Sequence, residues 1–144
     1  MKNLKLLLGF LFMASSAVGQ TNGNVTVRIS DIKDQGKGEI ILMLFSSEDG
    51  FPMDSEKAIF KATITQFGES LQHTFNGIPF GTYALAAFQD KNRNGKVDTR
   101  KVIPMPKEPV AALNVTKRGR PEFKNSTFEV RADSTTLTLT FLNQ

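Results

Sequence analysis

Apolar and polar residues alternate with a period of two along most of the chain. Val25, Val27 and Ile29 alternate with Thr26, Arg28 and Ser30. Phe60, Ala62 and Ile64 alternate with Lys61, Thr63 and Thr65. Phe128 and Val130 flank Glu129, and Leu137, Leu139 and Phe141 alternate with threonines. Each such run predicts a strand with one apolar face. Leu71, His73 and Phe75 mark another. Two runs differ: Ile40 to Phe45 and Tyr83 to Phe88 are apolar throughout, as in central strands covered on both faces. Together they predict an all-β fold, an antiparallel two-sheet sandwich of about seven strands, Ig-like or transthyretin-like. No segment has a sustained helical period. Residues 52–58 predict at most one helical turn, with Asp54 or Ser55 as its cap.

Turn residues punctuate these strands. Asp34 to Gly38 joins the first two, and Phe67-Gly68-Glu69 predicts a hairpin between the next pair. Pro79 and Gly81 predict a sharp reversal before Tyr83. Residues 99–124 are the exception, with Pro104, Pro106, Pro109 and Pro121 and no clear strand pattern. Irregular segments longer than about 15 residues are uncommon and often functional, so this one predicts an interaction loop.

The N-terminus has its own pattern. Lys2 and Lys5 precede a short apolar run from Leu6 to Met13, followed by small residues at Ala17-Val18-Gly19. This predicts a signal peptide over residues 1–19, cleavage before Gln20, and one sandwich domain over residues 20–144. The run is shorter than the roughly 20 residues that span a bilayer. The predicted protein is therefore exported, to the periplasm or outside the cell, without a transmembrane segment.

Composition narrows the chemistry. The absence of cysteine excludes disulfides, thiolate metal sites and a catalytic thiol. An exported domain without disulfides depends on its core or on a bound ion. Without Lys2 and Lys5, 16 basic residues face 14 acidic ones, which gives no support to nucleic-acid binding. The Lys117, Arg118, Arg120 cluster lies beside Gly119 and Pro121 and reads as a solvated loop.

One motif carries candidate chemistry. Asp90, Asn92, Asn94 and Asp98 stand at relative positions 1, 3, 5 and 9, with Gly95 at 6. That is the front of a calcium loop. Alternate residues of a tightly wound loop point inward, Gly95 permits positive φ, and the carbonyl of Lys96 can face the ion. The metal ligands predicted are Asp90, Asn92, Asn94, Lys96 and Asp98. Position 12, a bidentate Glu in an EF-hand, is Lys101, and no helix pattern flanks the loop. The alternative is a polar Asn-Gly turn. Two carboxylates predict weak binding, on the order of 10⁻⁴ to 10⁻³ M, with Glu108 as a possible further ligand.

Other sites have little support. His73 is the single histidine and reads as a half-buried strand residue. A G-x-S-x-G nucleophile motif and a phosphate-binding glycine loop are both missing.

The run Ile78-Pro79-x-Gly81-x-Tyr83-Ala84, followed by Asp90-x-Asn92-x-Asn94-Gly95-Lys96-x-Asp98, resembles the exported bacterial family called domain of unknown function twenty-one forty-one. Pro106-Lys107-Glu108-Pro109, Asn114, Arg120-Pro121-x-Phe123 and Phe128-x-Val130 resemble its second conserved stretch. The chain departs from the family at Pro104-Met105-Pro106, where glycine is usual, and at Ala111-Ala112-Leu113-Asn114. The resemblance covers about residues 23–142 and implies fold and compartment rather than an activity. The Pro-x-Gly-x-Tyr turn is also similar to that of transthyretin-like and carboxypeptidase-regulatory-like sandwiches.

The leading functional expectation is a non-catalytic, monomeric, calcium-stabilised binding protein. It would meet a protein, glycan or cell-surface component through residues 99–124. The alternatives are a small-molecule carrier with an apolar inter-sheet pocket, and a hydrolase using Asp90, Asp98 or Glu108.

Overall fold

The computed structural model describes residues 19, 21–103, 105–117 and 119–142. The predicted signal peptide lies outside them, apart from Gly19. Among the described residues, no helix is long and apolar enough to cross a membrane.

Eight strands form among the described residues: β1 (Asn22–Ile29), β2 (Glu39–Phe45), β3 (Phe60–Ile64), β4 (Leu71–Pro79), β5 (Gly81–Asp90), β6 (Val110–Ala112), β7 (Thr127–Val130) and β8 (Ser134–Leu139). A three-stranded sheet runs β4-β1-β8. The larger sheet runs β3-β2-β5-β6, with β7 also paired to β5. The fold is the expected two-sheet β-sandwich, with three differences from the sequence reading. The β1–β8 pair is parallel, because the chain returns to the first strand from the opposite sheet. Residues 67–69 do not close a hairpin: β3 pairs with β2 and β4 with β1, so this turn carries the chain between sheets. Strand β6 lies inside the segment read as loop, where it pairs Ala86 with Ala112 and Phe88 with Val110.

Burial explains the two kinds of pattern. The inter-sheet core takes alternate residues of every long strand, including Val25, Val27, Ile29, Leu42, Leu44, Leu85 and Leu139. Strand β4 keeps its core face through a bulge. Asn76 and Gly77 stand opposite Asn24, whose Oδ1 accepts the Gly77 N–H at 3.1 Å. The extra residue switches phase, so Phe75 and Ile78 are both buried although three positions apart.

Strands β2 and β5 are apolar on both faces because both faces are covered. A second core of Ile41, Met43, Phe45, Phe51, Ala84, Ala86, Phe88, Val110 and Ala112 lies on the outer side of the larger sheet. Phe51 packs edge-on against Phe45 at 5.4 Å and Phe123 at 5.8 Å. The chain from 46 to 59 and the segment after β6 therefore form its roof. Residues 52–58 fold as tight turns, with Asp54 Oδ1 capping the Glu56 N–H at 3.0 Å. At the β4–β5 reversal, the Tyr83 hydroxyl donates to the Pro79 carbonyl at 2.9 Å.

Candidate functional site

Strand β5 delivers the predicted loop at one end of the sandwich. Gln89 and Asp90 are its last residues, and both are completely buried. Alternation turns Gln89 toward the inter-sheet side and Asp90 toward the outer side. The Gln89 side-chain NH₂ donates to the Asp34 carbonyl at 2.7 Å and the Lys37 carbonyl at 2.9 Å. This ties the β1–β2 turn to the root of the loop. Three more contacts reinforce the tie. Lys91 pairs with Asp34, the Arg93 guanidinium donates to the Gly38 carbonyl at 3.3 Å, and Gly38 lies directly against the Asp90 backbone. A Cβ on Gly38 would stand 2.0 Å from the Asp90 carbonyl oxygen.

Asp90 organises the interior of the loop. Its Oδ1 accepts the Asn94 N–H at 3.2 Å and its Oδ2 accepts the Gly95 N–H at 2.6 Å. Gly95 has the positive φ, 75°, that the motif requires. Asn92 Oδ1 accepts the Asn94 N–H at 3.2 Å, and Asn94 Oδ1 accepts the Lys96 N–H at 2.9 Å. The two amide groups then converge on one carboxylate. Asn92 Nδ2 donates to Asp98 Oδ2 at 2.7 Å, and Asn94 Nδ2 donates to Asp98 Oδ1 at 3.2 Å. Asp90, Asn92, Asn94 and Asp98 are thus linked in one network. Lys96 enters it through its backbone, and its side chain is exposed.

Two residues outside the spaced motif hold this loop: Glu108, expected from sequence as a further ligand, and Ser55, expected as a helical cap. Glu108 is buried and folds back on the loop. Its Oε1 accepts the Lys91 N–H at 2.9 Å and its Oε2 accepts the Asp98 N–H at 3.1 Å. One carboxylate therefore clamps both ends of the loop through backbone amides. Ser55, in the outer roof, donates its hydroxyl to the Gly95 carbonyl at 2.9 Å. Val97 packs into the second core. The acidic identity of Glu108 was visible in the sequence, whereas the 40-residue separation of Ser55 from Gly95 left no local signal.

Beyond the loop the chain forms a small hairpin. An isolated bridge joins Thr99 to Pro106, and the Arg100 N–H donates to the Met105 carbonyl at 3.0 Å. The Lys107 N–H donates to the Asp98 carbonyl at 2.8 Å, so the loop and hairpin share a base. Asp90, Asp98 and Glu108 do not form a three-carboxylate cluster of the kind that holds a metal on acidic groups alone. Any cation here would draw on asparagine and backbone oxygens.

The remaining candidates lie elsewhere. His73 is partly buried on β4, edge-on to Phe75 at 4.8 Å, and burial pushes its pKa below the usual histidine value. Asp34 lies below the ordinary carboxylate value because Lys91 and Lys37 donate to it. Two surface hollows of about 480 and 470 Å³ flank residues 114–125, outside the inter-sheet core.

No curated protein and no solved structure matches the chain. A family match does cover residues 20–138, which takes in both sheets, the loop, its Glu108 clamp and the hairpin. The chain belongs to the bacterial family described as "Uncharacterized protein conserved in bacteria (DUF2141)".

Proposed function

We propose that this protein is an exported, non-catalytic binding protein whose Asp90–Asp98 loop takes a calcium ion that braces the segment from 99 to 124. The observation that carries this reading is the convergence of Asn92 and Asn94 on Asp98, above a buried Asp90 that fixes the loop backbone. A half-turn of either amide presents an oxygen where its NH₂ group now lies. The loop then offers the hard oxygen donors that calcium prefers. Asp90 and Asp98 supply the charge, Asn92 and Asn94 the neutral oxygens, and Lys96 a backbone carbonyl. The ion's role is structural. It would tighten a loop whose last residue is also the base of the hairpin.

The engagement of both aspartates argues against the hydrolase alternative. Each carboxylate already accepts two N–H groups within the loop, which suits a scaffold better than a proton-transfer pair. The carrier alternative has less support than the loop, since large aliphatic side chains fill the space between the sheets.

A thermal melt tests the ion. At about 1 mM calcium and a dissociation constant near 100 μM, binding contributes roughly 1.4 kcal/mol. For a domain of this size that raises Tm by about 5 °C. Asp98→Asn should remove the calcium-dependent rise while leaving the Tm in chelator close to wild type. A wild-type melt that does not respond to millimolar calcium overturns the ion.

A further inference from the structure

We propose that the tip of the 99–106 hairpin docks on an anionic phospholipid surface. Val102, Ile103 and Met105 would enter the bilayer while Arg100, Lys101 and Lys107 meet the phosphates. This deepens the reading of residues 99–124 as the interaction segment and rests on it, but it does not require the ion.

The exposure pattern is the first observation. Val102 is 94% exposed, Ile103 56% and Met105 52%. The other two exposed large hydrophobics among the described residues, Ile59 and Phe80, lie singly elsewhere. Isolated apolar side chains need no explanation, whereas a contiguous exposed group marks an interaction site. The group is held in place: the Thr99–Pro106 bridge closes the hairpin, and Asp98 ties its base to Lys107 and Glu108.

Charge selects the partner. Between Asp90 and Glu108 the chain carries Arg93, Lys96, Arg100, Lys101 and Lys107, all exposed, besides Lys91, which pairs with Asp34. Two of the three acids in the same stretch turn inward, and the third is half-buried. Asp90 and Glu108 are buried, and Asp98 is engaged by two amides. The exposed charge around the tip is therefore positive, a larger local excess than the 16 basic against 14 acidic residues that remain without Lys2 and Lys5. Basic residues close to an anionic membrane each strengthen attachment, and the stems of Lys and Arg reach phosphates while aliphatic neighbours insert.

Side-chain chemistry separates a bilayer from a protein partner. The exposed apolar residues are Val102, Ile103 and Met105, with no aromatic residue between Thr99 and Lys107. Protein hot spots favour Trp, Tyr and Arg in desolvated pockets.

Vesicle flotation with residues 20–144 tests the proposal. Vesicles of equal parts phosphatidylglycerol and phosphatidylcholine are compared with phosphatidylcholine alone, in chelator and in about 1 mM calcium. Wild type should float with the anionic vesicles and release as salt rises. Val102→Asp combined with Ile103→Asp should lower the bound fraction at least about tenfold. Arg100→Glu combined with Lys101→Glu should lower it comparably and flatten the salt dependence. No wild-type flotation, or equal flotation of the Asp pair, overturns the docking. So does a dimer that Val102→Asp dissolves while vesicles remain unbound. Lost flotation with an intact calcium melt overturns docking alone. Flotation without any calcium response leaves docking standing and removes only the ion.

Discussion

The loop from Asp90 to Asp98 and the hairpin that follows it share a base but solve opposite problems. In the loop, polar side chains are turned toward one another and toward the backbone. It is anchored from three directions: by the β1–β2 turn through Gln89 and Lys91, by the outer roof through Ser55, and by Glu108. In the hairpin, backbone bonds close the turn while aliphatic side chains face outward. The contrast teaches where the sequence invests its buried polar groups. They hold a stretch of irregular backbone at fixed geometry, as a site built on rigid elements requires. The tip beyond them is free to be chosen for what it meets.

The most severe way to break this contrast is to remove the loop's closest support. Gly38 has φ 72° and lies against the Asp90 carbonyl, so Gly38→Ala suffers both backbone strain and a clash with rigid main chain. We expect a loss of at least about 3 kcal/mol, read as a Tm lower by about 10 °C. A melt within a degree or two of wild type would show that the turn does not brace the loop. Glu108→Ala comes next. It strands the Lys91 and Asp98 N–H groups in a part-buried site, at a cost of about 2 kcal/mol. The amide protons of Lys91 and Asp98 should then exchange faster with solvent than those of β1. Unchanged exchange at both positions would remove Glu108 from the role of clamp.

What the sequence disclosed follows the reach of each interaction. Strands with one covered face show the period of two, so β1, β3, β7 and β8 were legible from alternation alone. Strands β2 and β5 were legible as central, but the identity of their second cover was not. Val115 and Phe123 lie far from those strands in sequence, and Phe51, although just beyond β2, sits in a turn without a period to mark it as roof. Strand β6 escaped because Val110-Ala111-Ala112 is too short to display a period and sits between prolines and a turn. The parallel β1–β8 pair and the crossover at 67–69 are topological and leave no residue pattern. Within the loop, Asp90, Asn92, Asn94 and Asp98 were found by spacing, because their contacts are four to six residues apart. Ser55, Gly38 and Gln89 act across 40 to 55 residues, and only the folded chain reveals them.

Acid provides the gentlest probe of the difference between the braced loop and the exposed tip. Asp34 holds Lys91 at the loop's entrance, and hydrogen bonds from Lys91 and Lys37 keep its carboxyl below the ordinary value of 3.8. A carboxylate lowered in the folded state binds its proton more readily when unfolded. Its contribution is therefore complete above the ordinary value and disappears as pH falls through that value toward the folded one. Asp34→Asn should lower Tm slightly near neutrality, and the two melting curves should converge as acid protonates Asp34. The pair is solvent-exposed, so the gap should also close at about 1 M salt, where screening extends only about 3 Å. The tip contains no acid between Thr99 and Met105, so the same acid range gives Val102→Asp no corresponding native contact to lose. A gap between wild type and Asp34→Asn that persists unchanged in both acid and salt would mean that Asp34 supports the loop by packing rather than charge.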